Sequence, residues 1–219
     1  MSWGYSHHGS SHHGSQYGAH SGYGHHQQSG YYPHPQQPQL PPGCPPGIDP
    51  VVFYWFQSVD QDGSKKISAD ELRTALMNNK MKEFNHETCR LMIGMFDKNK
   101  DGQIDIHEFS ALWGYIQQWR QCFDSFDTDR SGNIDANELS RAFATFGYRL
   151  SMDFTKLVVR QFDRTSVNTI DFDDFIQVCV MLKTLTDKFR EKDRNQNGNI
   201  QLRYEEFLEM VLDNTLNMV

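Results

Sequence analysis

Two twelve-residue segments, 97–108 and 127–138, constrain what this chain can fold into more than any other feature. The first sets Asp97, Asn99, Asp101, Gln103, Asp105 and Glu108 at positions 1, 3, 5, 7, 9 and 12, with Gly102 at position 6 and Ile104 at position 8. The second repeats the pattern with Asp127, Asp129, Ser131, Asn133, Asp135 and Glu138, and with Gly132 and Ile134. A hard divalent cation asks for this spacing. Ca²⁺ takes about six to eight oxygens, and a loop closed by a bidentate Glu at position 12 supplies most of them. Glycine at position 6 allows the positive φ of a sharp turn. A solvated charge run has no reason to keep the glycine, the isoleucine and the final Glu in register twice. Both segments are therefore read as Ca²⁺ loops of helix–loop–helix (EF-hand) units.

Three more segments fit the template less well. Residues 60–71 keep Asp60, Asp62, Ser64, Ile67, Ser68 and Glu71, but Lys65 stands where glycine is expected. A non-glycine residue in the left-handed region costs about 1 kcal/mol, and Lys65 and Lys66 add positive charge, so binding here is expected to be weaker. Residues 163–174 have Val167 at position 5, Asn168 at 6 and the short Asp174 at 12. That loop is expected to be empty and structural. The fifth, from Asp193, has Tyr204 at position 12 and its acids displaced to Glu205 and Glu206, which argues against strong binding.

The loops start at 60, 97, 127, 163 and 193, so the intervals are 37, 30, 36 and 30 residues. An interval of 30 leaves room for one helix that exits one hand and enters the next. The stripe Phe109, Leu112, Trp113, Ile116, Trp119, Phe123 and Phe126, at steps of three and four, is such a helix. The longer intervals admit turns, around Asn79 and Lys80 and at 147–151, with Asn85 and Ser151 as N-caps. The fold class that follows is all-α, with five hands: two pairs plus an unpaired fifth. Every loop keeps Ile at position 8, the site of a short β-bridge between paired loops: Ile67, Ile104, Ile134, Ile170 and Ile200. Ile200 is left over. Its loop and the apolar residues Phe207, Met210 and Val211 behind it invite a second subunit.

Composition divides the chain near residue 50. All eight prolines and eight of the ten histidines lie in the first fifty residues, which carry one acid, Asp49, and no Lys or Arg. Such a segment cannot bury enough apolar surface to offset its ordering entropy, so residues 1–50 are expected to be a disordered tail before a domain spanning 51–219. Its prolines favour a polyproline II form that partner grooves can read. The remainder holds 27 acids against 21 bases, which argues against a nucleic-acid partner. Cys44, Cys89, Cys122 and Cys179 show no metal or disulfide spacing. The opening residues lack the pattern of a signal peptide, so the expected compartment is the cytoplasm. Cys89 and His86 share a helix face without a third orienting group, so an enzyme is the least favoured class.

Five hands at these intervals behind a Gly/Pro-rich tail resemble the penta-EF-hand family. The residues that carry the resemblance include Phe109-Ser110-Ala111-Leu112-Trp113, Gly147-Tyr148-Arg149-Leu150-Ser151 and Asp173-Asp174-Phe175-Ile176-Gln177. The resemblance implies dimerisation through residues 193–219, with another penta-EF-hand protein or with a second copy. It also implies Pro-rich or vesicle-coat partners and a role at endoplasmic reticulum exit sites, with peripheral membrane association. The expected function is a Ca²⁺-responsive adaptor. Two rivals stay open: the regulatory small subunit of a calcium-dependent cysteine protease, and a constitutive calcium buffer.

Overall fold

The computed structural model describes residues 41–77 and 82–216. Residues 1–40, most of the expected tail, and the turn at Asn79 and Lys80 lie outside the described residues. The fold is all-α. Eight helices are described: α1 (Pro50–Val59), α2 (Ala69–Ala75), α3 (His86–Phe96), α4 (Ile106–Phe126), α5 (Ala136–Thr145), α6 (Met152–Phe162), α7 (Phe172–Lys192) and α8 (Tyr204–Leu216). The five loops fall between them.

Local chemistry fixes where the helices begin. The Asp49 carboxylate accepts the Val51 N–H at 2.7 Å and Pro50 opens α1, where its missing N–H costs nothing. Ile48, just before this cap, is buried. Asn85 and Ser151 cap α3 and α6 as their sequence context suggests. At α2, α4 and α5 the residue at loop position 9 (Ser68, Asp105 or Asp135) forms a capping box with the Glu at position 12. One side chain thereby closes a loop and starts a helix.

The hands pair as the intervals imply. Ile67 and Ile104 exchange backbone hydrogen bonds of 2.8 and 2.9 Å in an antiparallel bridge. Ile134 faces Ile170 in the two-stranded sheet of β1 (Ile134–Asp135) and β2 (Thr169–Ile170). All four isoleucines are wholly buried. The helix shared by hands two and three is α4, and hands four and five share α7; each has 21 residues. Their apolar stripes meet at the centre, where Phe123 packs edge-on against Phe172 and Phe175 at centroid distances of 5.4 and 5.5 Å. Phe84, from the first pair, meets Phe172 at 5.7 Å. Phe172 therefore joins the two pairs into one core.

Candidate calcium sites

In all five loops the carboxylate at position 1 accepts the backbone N–H of position 6. The distances are 3.0 Å for Lys65 to Asp60, 2.7 Å for Gly102 to Asp97, 2.9 Å for Gly132 to Asp127, 2.6 Å for Asn168 to Asp163 and 2.8 Å for Gly198 to Asp193. This contact curls the chain, and in loops one and three it brings positions 1 and 3 together with position 12. Position 12 separates the loops. Glu71 accepts N–H groups from Gln61 and Ser68 at 3.0 and 2.9 Å. Glu108 holds Lys98 and Asp105 at 2.8 and 3.0 Å, and Glu138 holds Thr128 and Asp135 at 2.9 and 3.1 Å. Each Glu thus spans its loop from position 2 to position 9, with both oxygens turned inward. In the fifth loop the corresponding acid lies two residues late, and Glu206 accepts the nearby Arg203 N–H at 2.8 Å and pairs with the Arg203 guanidinium at 3.4 Å.

Carboxylate oxygens of Asp60, Asp62 and Glu71 come within 4.8 Å of one another, as do those of Asp127, Asp129 and Glu138. Hydrogen bonds from Ser64 hold the Asp62 carboxyl below its usual range, and those from Ser131 do the same for Asp129. Burial alone would raise Glu71, but the Ser68 N–H and hydroxyl and the Gln61 N–H bring it down. The groups are oxygen-only and convergent, which fits Ca²⁺ and not a softer metal. In loop two Asp97 and Glu108 are buried, Asn99 accepts the Asp101 N–H at 3.0 Å, and the Asp101 carboxylate bonds to the Lys66 ammonium. Gln103 and Asn133 stand at position 7, where an EF-hand loop contributes its backbone carbonyl. The Asn133 side chain instead donates to Asp171 across the paired loops.

Two local features escape the sequence pattern. Lys65 does take a positive φ, 65°, but each loop also bends through a left-handed residue at position 4. These are Gly63, Lys100, Arg130, Ser166 and Gln196. Loop one has glycine at 4 and lysine at 6, whereas loops two and three have Lys100 or Arg130 at 4 and glycine at 6. Loops one, two, three and five therefore carry one strained non-glycine residue each, and the strain expected of Lys65 sets loop one apart from none of these. The fourth loop carries two, Ser166 and Asn168.

The other feature is an acidic cluster. Asp171, Asp173 and Asp174, all buried, bring carboxylate oxygens within 4.8 Å of one another. Arg164 pairs with both Asp173 and Asp174, and the Asn85 N–H donates to Asp173 at 2.7 Å. The fourth loop is thus closed by an arginine at position 2 and tied to the start of α3. Burial, and next the charge of Asp173, push the Asp174 carboxyl up to about 6, against hydrogen bonds from Arg164 and Asn85. A folded-state value above the ordinary 3.8 means that the folded protein binds more protons between about pH 4 and 6. Stability from this group is present at low pH and is lost as pH rises through that window. Asp174→Asn deletes the charge and keeps one acceptor oxygen, for Asn85 or for Arg164 but not both, while Arg164 retains its pair with Asp173. We expect it to stabilise the chelated protein by about 1–2 kcal/mol at pH 7, with no gain at pH 4. Thermal unfolding of both forms from pH 4 to 7 checks this.

Comparison with known proteins agrees with this geometry. The chain matches the family of EF-hand domain pairs over residues 51–113 and 116–180. It is 49% identical to peflin of Homo sapiens over 175 residues, which cover 80% of this chain and 62% of that protein. It is 40% identical to sorcin of Homo sapiens over 168 residues, covering 75% of this chain and 83% of sorcin. The chain spans about three fifths of the length of the peflins it matches. Among solved structures, a homolog of programmed cell death 6 protein from Leishmania major Friedlin superposes with a TM-score of 0.63 at 28% identity, over 77% of this chain and 94% of that one.

Proposed function

We propose that this chain, which belongs to the penta-EF-hand family and is related to peflin and sorcin, acts as a Ca²⁺-responsive adaptor that dimerises through its fifth hand. One observation carries the reading. Loops one to three keep the closed Glu arrangement, while the fifth hand keeps its bridge residue and an apolar helix without such a loop. Among the described residues Ile200 takes part in no bridge, and on α8 Phe207 is 48% and Leu212 56% exposed. The metal set is Asp60, Asp62, Ser64 and Glu71; Asp97, Asn99, Asp101, Gln103 and Glu108; and Asp127, Asp129, Ser131, Asn133 and Glu138. Because each of Glu71, Glu108 and Glu138 is also the third residue of the following helix, an ion that draws the carboxylate inward pulls on that helix.

Partner capture at endoplasmic reticulum exit sites and vesicle coats is the finer role that the family resemblance implies. No described helix is long and apolar enough to cross a membrane, so membrane association would be peripheral. A catalytic role for Cys89 finds no support, because burial pushes its thiol up to about 12. The test is capture of partners from lysate with Ca²⁺ and with chelator, alongside binding of an apolar dye. An adaptor should gain both on adding Ca²⁺. Ca²⁺ uptake with neither would indicate a buffer, and co-purification of a large protease chain would indicate a protease subunit.

A further inference from the structure

Loops one and two share more than their bridge. Lys66 is position 7 of loop one, next to the bridging Ile67, and its two ends face different loops. Its carbonyl stays in loop one, where it accepts the Ser64 hydroxyl at 3.0 Å. Its side chain crosses to loop two and its ammonium pairs with the Oδ2 of Asp101, the position 5 carboxylate. The same ammonium lies in the field of Asp105 and Glu108. The other Asp101 oxygen accepts the Gln103 N–H at 3.0 Å. Loop two also differs from loops one and three in a second respect. It has Asn99 at position 3, where Asp62 and Asp129 complete the three-carboxylate clusters of the other two loops, so Asp101 is the early acid it has besides Asp97.

The geometry points to Lys66 as a tethered cation that competes with Ca²⁺ for Asp101 and so sets the affinity of loop two from within loop one. The inference rests on the calcium reading of loop two. To enter, an ion must displace an ammonium already held by one of its acidic ligands. That competitor cannot diffuse away, because the stem of Lys66 is anchored beside a wholly buried bridge. The pair is partly exposed, with 38% of the Lys66 side chain and 31% of the Asp101 side chain open to solvent. Its effect should therefore be moderate and screened by salt.

The test uses the full chain carrying Glu71→Gln and Glu138→Gln, so that loop two is the remaining strong site, and reads Ca²⁺ affinity by calorimetry at low salt. Adding Lys66→Met keeps the stem and removes the charge, and should tighten binding by about fivefold. Lys65→Met removes the same net charge one residue earlier and should change affinity by less than about twofold. The gain from Lys66→Met should shrink in about 1 M salt. An unchanged affinity in Lys66→Met, or an equal gain in Lys65→Met, overturns the proposal. Adding Glu108→Gln to the same background separates the two readings. If heat of Ca²⁺ binding persists undiminished there, loop two was not the site measured and the calcium assignment itself fails.

Discussion

Replacing Glu108 with Gln should remove one strong Ca²⁺ site, and replacing Glu138 with Gln should remove another. Glu108 is 5% and Glu138 4% exposed, and each reaches both ends of its loop. Glutamine keeps the length and one carbonyl oxygen, so the helix start is largely preserved. It deletes the charge and the second oxygen, and bidentate coordination goes with them. Affinity at the altered loop should fall from the sensor range, on the order of 10⁻⁷–10⁻⁵ M, by roughly a hundredfold or more. Calorimetry should lose one equivalent in each single variant and two in the double. Circular dichroism of the chelated proteins should stay close to that of the parent, because the hydrophobic bridge beneath each loop is untouched. Unchanged stoichiometry in both single variants would overturn the assignment.

The distribution of what could be read in advance follows from the range over which each feature is determined. The convergence of Asp127, Asp129 and Glu138 is legible because these acids, the glycine and the bridge residue lie within twelve positions, and local backbone chemistry fixes their directions. The pairing of hands is legible too. An isoleucine at position 8 of every loop, at intervals alternating between about 30 and 37 residues, leaves little choice of partner. The destination of Lys66 is not legible. Pattern reasoning places its charge beside the ion of its own loop, whereas the bridge at Ile67 and Ile104 sets it over Asp101, 35 residues away. The closure of the fourth loop is hidden for the same reason, since Asp173 and Asn85 are 88 residues apart. Even the left-handed residues at position 4 give no signal, since Lys100 and Arg130 are residue types with no preference for that conformation. What escapes the sequence is where a side chain goes once two distant segments have met.

Cutting the chain after Lys192, or replacing Ile200 with Asp, should abolish dimers while leaving Ca²⁺ binding in loops two and three. The first four hands satisfy one another. Ile67 pairs with Ile104 and Ile134 with Ile170, all four wholly buried, and the aromatic core around Phe172 closes without help from α8. Among the described residues the fifth hand has no such closure. Ile200 is only partly buried and Tyr204 is 76% exposed. A twofold axis beside the fifth loop would let two copies of Ile200, or Ile200 and its counterpart in a related chain, form the missing bridge and cover Phe207 and Leu212. Placing an aspartate in that bridge would strand a charge in a dry interface. The cost of about 3 kcal/mol corresponds to roughly a hundredfold weaker dimerisation. No proposed ligand is altered in either variant. Sedimentation at micromolar concentration should therefore show the parent as a dimer and both variants as monomers, with calorimetry still reporting the loop-two and loop-three sites. If the truncated protein sediments as an intact dimer, the interface lies on another face. If it loses calcium binding as well, α8 supports the paired hands in a way the contacts of α7 and α8 do not account for.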